Sequence, residues 1–219
     1  MAVDIINRPN IGSSGLIEII DGFEFEGFGS GGFGDDDFLY IGDALDNFIQ
    51  AGPGNDELEG NDGNDELLGG DGNDIIDGDS GNDTLDGQGG TDKLFGGLGD
   101  DILLAGGSGD NPQLNRDQLQ GDPRNLDGSV IGGEPGNDIF GFYDLGFYRV
   151  NDFVPGEDLL FFDAEKTGID NIGTLVGLIS DIDQRDDGVT VHFGSNAAWI
   201  DLVGVNINDI TADMVIFGL

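Results

Sequence analysis

Between Ala51 and Leu104 the apolar positions fall on a beat of nine. The chain divides into six consecutive units: AGPGNDELE, GNDGNDELL, GGDGNDIID, GDSGNDTLD, GQGGTDKLF and GGLGDDILL. The eighth place is always aliphatic: Leu58, Leu67, Ile76, Leu85, Leu94 and Leu103. The fourth is always glycine (Gly54, Gly63, Gly72, Gly81, Gly90, Gly99), and the sixth is always aspartate (Asp56, Asp65, Asp74, Asp83, Asp92, Asp101). A fixed period of this kind marks a repeat architecture, in which each unit buries its apolar side only against its neighbours. A disordered acidic linker would share the composition, but it would not place an aliphatic residue at every eighth position.

Weaker copies flank this core. GDALDNFIQ (42–50) puts Asn47 at the sixth place and Ile49 at the eighth, and GGFGDDDFL (31–39) offers Asp36 and Phe38. AGGSGD keeps Asp110 in phase. Residues 111–131 break the beat, and Pro112 and Pro123 argue for an irregular excursion. GEPGNDIFG (133–141) restores it with Asp138 and Phe140. Before the repeats, Phe23, Phe25 and Phe28 alternate in part with acidic residues, which predicts strands that cover the first repeat. After Phe142 the chain turns aromatic and apolar, and GVTVHFGSNAAWIDLVGV reads as two strands joined by a turn. The expected organisation is therefore an N-terminal cap over 1–30, the repeats over 31–110, an irregular insertion over 111–131, and a final coil with a C-terminal cap over 132–219.

Charge narrows the partners. Asp and Glu number 45 against 7 Lys and Arg, a formal net charge of −38, and 36 of the acids are Asp. Asp and the 42 glycines favour turns over helices. Like charge argues against nucleic acid and anionic membranes as partners and points to cations. The chain has no cysteine and one histidine, His192, so thiolate chemistry and multi-histidine zinc sites are excluded. No apolar run reaches the ~20 residues of a membrane span, and MAVDIINRPNIGSSG lacks the basic and apolar halves of a signal peptide.

The pattern GGxGxDxUx, with U a large aliphatic residue, resembles the nonapeptide of the repeats-in-toxin (haemolysin-type) family. That resemblance covers roughly residues 31–141. It implies an all-β fold: a parallel β-roll with six turn residues and three strand residues per unit, two units to a coil, and calcium between the turns. The block from RVNDFVPGEDLLFF to ITADMVIFGL resembles the C-terminal segment of type I-secreted proteins of this kind. It implies a capping β structure and an uncleaved export signal, hence a secreted or cell-surface protein and a partner in the type I machinery.

The residue chemistry suits calcium independently. Glycine allows the positive φ and close approach that a tight turn round an ion needs. Carboxylates and backbone carbonyls are hard oxygen ligands, and calcium takes 6 to 8 of them. The absence of soft ligands argues against zinc and copper, and magnesium prefers a rigid octahedron that keeps its waters. With alternate units stacked one coil apart, the aspartates pair as Asp56 with Asp74, Asp65 with Asp83, Asp74 with Asp92 and Asp83 with Asp101, with Asp92 and Asp110 a fifth pair. Asp74 and Asp83 then fall in two pairs and Asp101 in one. The resemblance implies that turn carbonyls complete the shells, which brings in Gly52, Gly54, Gly63, Gly70, Gly72, Gly81, Gly90 and Gly99. Four to five calcium ions, or more, are expected. One aliphatic side chain per nine residues is little burial against the entropy of ordering the backbone, so ion binding is expected to drive folding.

Sites for catalysis are not expected. HExxH and GxSxG are missing, and the carboxylates sit almost entirely in the repeat phase. Gly27, Gly29 and Gly32 match GxGxxG only by chance, without a βαβ context. His192 lies in VTVHF and reads as a satisfied structural histidine, and DIDQRDDG (181–188) reads as a solvated turn. The functional expectation is a secreted, non-enzymatic calcium-binding β-roll. Two other readings stand beside it. One is an adhesion or surface-matrix module that contacts an extracellular polymer through aromatics such as Trp199 and Phe23. The other is a polysaccharide-modifying enzyme on a parallel β scaffold.

Overall fold

The computed structural model describes residues 17–19, 25–26, 37–108, 117–122, 136–143, 146–194 and 198–219. Numbered along the chain, its strands fall into two sheets. The first runs β1 (Ile17–Ile19), β3 (Leu39–Ile41), β5 (Glu57–Glu59), β7 (Ile75–Asp77), β9 (Lys93–Phe95), β12 (Asp117–Gln120), β14 (Phe147–Val150), β18 (Ala198–Val203), β17 (Gly188–Phe193) and β16 (Ile179–Arg185). The second runs β2 (Phe25–Glu26), β4 (Phe48–Pro53), β6 (Glu66–Gly72), β8 (Thr84–Gly90), β10 (Ile102–Leu104), β13 (Ile139–Phe142), β15 (Leu159–Phe162) and β19 (Val215–Ile216), with β11 (Gly107–Ser108) beside β8.

Pairing within the repeats is parallel, and each residue faces the one two units on. Leu58 lies on Ile76 and Ile76 on Leu94; opposite them, Ile49 lies on Leu67, Leu67 on Leu85 and Leu85 on Leu103. Two units therefore make one coil, and the fold is a parallel β-roll. The eighth-place residues of the six units and Ile49 are wholly buried, in two columns of one core. Phe38, expected at the eighth place, stands at the sixth instead: its amide donates to Asp56 Oδ1 at 2.7 Å, and Tyr40 lies on Leu58. The columns continue past the repeats, through Leu119, Val150 and Leu202 in one sheet and Phe140, Leu160 and Val215 in the other. Phe142 meets Tyr148 and Phe162 with ring centroids 4.9 and 5.3 Å apart, so aromatic bulk fills the last coils.

Several expectations are corrected. The stretch 111–131 is not wholly irregular: β12 pairs with β9 on one side and β14 on the other. Its Asp117–Gln118–Leu119 keeps the aspartate-to-aliphatic spacing, and that spacing is what a coil requires. Strands have three residues in β5, β7 and β9, but β6 and β8 have seven, because the turns that follow them also pair coil to coil. Residues 181–185, expected as turn, form most of β16. Here the sheet changes character, with β18, β17 and β16 joined antiparallel. Two short helices were not foreseen: α1 (Ala164–Thr167), whose N-cap is Asp163, and α2 (Ile172–Leu178), whose N-cap is Asn171. The Phe23 and Phe28 expectation falls outside the described residues.

Candidate metal centre

Each turn between strands depends on two left-handed positions. At the second place, φ is 117° for Gly52, 73° for Asn61, 117° for Gly70, 66° for Asp79 and 65° for Gln88, a region Asn and Asp tolerate. At the fourth place φ lies between 132° at Gly63 and 148° at Gly72, which only glycine adopts readily. Space forbids a side chain there as well. A Cβ on Gly72 would strike the carbonyl oxygen of Gly54, and one on Gly81 that of Gly63. The turns stack so closely that successive fourth-place residues touch through backbone alone.

Two ladders of side chains run along these stacked turns, in opposite directions. In the first, each sixth-place carboxylate accepts from the amide one coil back. Asp74 Oδ1 accepts from Asp56 N at 2.8 Å, Asp83 from Asp65 at 2.7 Å, Asp92 from Asp74 at 2.9 Å and Asp101 from Asp83 at 2.8 Å. In the second, fifth-place side chains accept from the coil ahead: Asn55 Oδ1 from Asn73 N at 3.0 Å, and Asn64 Oδ1 from Asn82 N at 2.8 Å. Thr91 stands at the same place, and its hydroxyl is buried without a partner.

The first ladder uses only half of each carboxylate. The Oδ2 atoms of Asp56, Asp65, Asp74, Asp83, Asp92 and Asp101 are shielded from solvent and have no hydrogen-bond partner. Each of the last five lies against the first-place glycine of its own turn, where a Cβ on Gly60, Gly69, Gly78, Gly87 or Gly96 would collide with it. Burial of these carboxyls, opposed by their amide bonds, lifts Asp65 and Asp74 to about 6, Asp56, Asp83 and Asp101 to about 7, and Asp92 to about 8. A column of buried, half-satisfied hard oxygens in glycine-lined turns fits a hard cation. Among the described residues no three His, Cys, Asp or Glu side chains converge. An ion in these turns must therefore draw much of its shell from backbone oxygens.

The four firm aspartate pairs expected from the sequence are thus neighbours in space. Asp92 N donates to Asp117 Oδ1 at 3.0 Å, so Asp117 takes the place that the repeat phase assigned to Asp110; Asp110 itself falls outside the described residues. Asp101, expected in a single pair, is bonded on both sides, because its own amide donates to Asp138 Oδ1 at 2.9 Å. Asp158 continues the column by accepting from Asp138 N at 3.0 Å. Asp117, Asp138 and Asp158 lie outside the set of ligands expected from the sequence. All three precede a buried apolar residue by two places (Leu119, Phe140, Leu160), a signal readable without the glycines.

Residues 41–76 and 68–103 match the family model described as RTX calcium-binding nonapeptide repeat, four copies. No curated protein matches the chain. Among solved structures, the chain is similar to the extracellular lipase LipA from Serratia marcescens, at 19% identity and a TM-score of 0.32, over 85% of this chain and 41% of the lipase. It is also similar to the AlgE6R3 subunit of the Azotobacter vinelandii mannuronan C5-epimerase, at 22% identity and a TM-score of 0.33, over 89% of this chain and 86% of that subunit. The chain thus spans less than half the length of the lipase it matches.

Proposed function

We propose, from the match of residues 41–103 to RTX calcium-binding nonapeptide repeats, that the chain is a secreted, non-catalytic protein whose roll closes on calcium. The observation that carries this reading is the column of six buried Oδ2 atoms without partners. At neutral pH those carboxyls must either hold protons against their ordinary acidity or face a cation. Calcium supplies the missing positive charge. Asp56, Asp65, Asp74, Asp83, Asp92 and Asp101 would hold it, with the carbonyls of the glycine turns that include Gly52, Gly54, Gly63, Gly70, Gly72, Gly81, Gly90 and Gly99. Asp117 and Asp138 extend the column beyond the repeats. Four to five ions between coil-neighbouring turns satisfy the pairs. Extracellular calcium modules work at ~10⁻⁴–10⁻³ M, far above cytosolic levels, so the chain stays open inside the cell and closes outside.

The region 132–219 serves this reading as a cap and an export address. Repeat stacks need an atypical terminal unit to cover an open sheet edge and an exposed core end. The antiparallel β18–β17–β16 meander and the buried Phe142, Tyr148 and Phe162 suit that task. Among the described residues no helix is long and apolar enough to cross a membrane.

Circular dichroism of the full chain, stripped of metal and titrated with calcium at pH 7.5, tests the central point. Parallel β signal should emerge between micromolar and millimolar calcium, with four or more ions bound by calorimetry. Full β structure without metal, or no bound calcium at millimolar concentration, would end the proposal.

A further inference from the structure

Outside the turns, one place among the described residues brings guanidinium, carboxylate, imidazole and indole groups together. The outer face of β14, β18, β17 and β16 sets Arg149, Asp201, Thr190 and Asp183 in one cross-strand row. The next row holds Phe147, Trp199, His192 and Asp181. Arg185 reaches back over the first row. Together these rows floor an open basin of about 400 Å³, lined by two of the seven cationic side chains in the sequence and by its one tryptophan.

Most polar groups of the basin are linked to one another. Arg185 Nη2 donates to Asp201 Oδ1 at 2.5 Å and Arg185 Nε to Asp187 at 3.0 Å, while Arg149 Nη1 stands 3.9 Å from Asp201 Oδ2. Thr190 accepts from Arg185 Nη1 and donates to Asp201 Oδ1 at 3.1 Å. Trp199 meets the ring of Phe147 edge to face, with centroids 5.6 Å apart, and is thereby fixed in orientation. His192, expected to be satisfied, has its Nδ1 shielded from solvent and without a hydrogen-bond partner.

We propose that this basin binds a neutral saccharide unit of an extracellular glycan, with its ring against Trp199 and its hydroxyls among Arg149, Asp183, Arg185 and His192. Size agrees, because small-molecule sites occupy ~300–1,000 Å³. Donor and acceptor balance agrees too. A sugar hydroxyl both donates and accepts, and here guanidinium donors and carboxylate acceptors lie side by side. The charge decides against acidic ligands. Three carboxylates outnumber two guanidinium groups in the basin, and the chain as a whole carries −38, so uronates, sulfated sugars and phosphates are repelled. The site lies on β14 and the C-terminal meander, shares no lining residue with the aspartate column, and does not rest on the calcium reading.

Because Trp199 is the only tryptophan, its fluorescence reports on this site alone. The full chain in millimolar calcium is titrated with cellohexaose, laminarihexaose, mannohexaose and xylohexaose, and with oligoguluronate and chitohexaose amine as charged controls. At least one neutral hexamer should shift the emission saturably. By calorimetry, Trp199→Ala should weaken that binding at least tenfold. Asp183→Ala, on the exposed edge strand, should weaken it severalfold with dichroism and bound calcium unchanged. Silence toward all four neutral hexamers, response to the charged controls alone, or affinity unmoved by both variants would overturn the proposal. Calcium stoichiometry, measured on the same samples, shows a failure of the calcium reading separately.

Discussion

The amide of Asp56 donates to Oδ1 of Asp74, 2.8 Å away and one full coil further along the chain. That bond spends one carboxylate oxygen on holding the turns together and leaves the other, Oδ2, buried without a partner. One residue type thus serves both the scaffold and the charge that the scaffold must neutralise.

The two tasks are separable at Asp74. Asp74→Asn keeps an Oδ1 acceptor for the Asp56 amide and removes the buried charge. Calorimetry should count fewer calcium ions than in the parent, and the metal-free variant should show at least as much β signal as the metal-free parent. A variant that binds the parental number of ions would show that Asp74 is not a ligand.

The fourth-place glycines should not accept any side chain. Gly72→Ala combines φ of 148° with a collision on the Gly54 carbonyl, and strained backbone of this kind costs ~1–3 kcal/mol before the clash is added. Gln88→Gly, at a second-place turn with φ of 65°, should be tolerated. Thermal melts in calcium compare the two, and equal melting temperatures would refute the distinction.

Ile76→Ala removes wholly buried apolar volume without touching a carboxylate. It should destabilise the calcium-bound roll by ~2–5 kcal/mol. Ion stoichiometry at saturation should not change. Denaturant melts and calorimetry on the same protein check both halves.

Acid should stabilise the metal-free roll. In the folded chain burial raises Asp83 and Asp101 to about 7 and Asp92 to about 8, against an unfolded value of 3.8. The folded state therefore holds more protons than the unfolded one between those values. Metal-free stability should be greatest near pH 4 and fall as pH rises through 8, and calcium affinity should rise over the same window as protons leave. Dichroism of metal-free protein that shows no more β structure at pH 4.5 than at pH 8 would contradict this.

Deleting residues 142–219 should raise the calcium needed for folding and promote aggregation, since it bares the ends of both core columns. Light scattering during a calcium titration reads both effects. Removing only the residues from Asp213 onward should spare calcium binding yet block export in a host with a type I exporter. Repeats that fold alone at unchanged calcium, as monomers, would exclude the capping role.

The nine-residue beat by itself determined that the chain is a stack of repeats, and the family resemblance implied two units to a coil. With that stacking given, the pairing of Leu58 with Ile76 and of Asp56 with Asp74 followed from counting. The glycines at the fourth place were legible for the same reason, because one backbone conformation recurs in every turn. What tertiary structure alone decided lies where the count fails. Asp117 replaces the expected partner of Asp92 because the ladder selects whichever residue sits two places before a buried apolar one, whatever loop precedes it. The division of each aspartate into a bonded and an unbonded oxygen depends on how closely the turns stack. The basin at Trp199 joins residues from four strands, Arg149 to Arg185, whose neighbourhood is set by antiparallel pairing at long separation, and no local period encodes that.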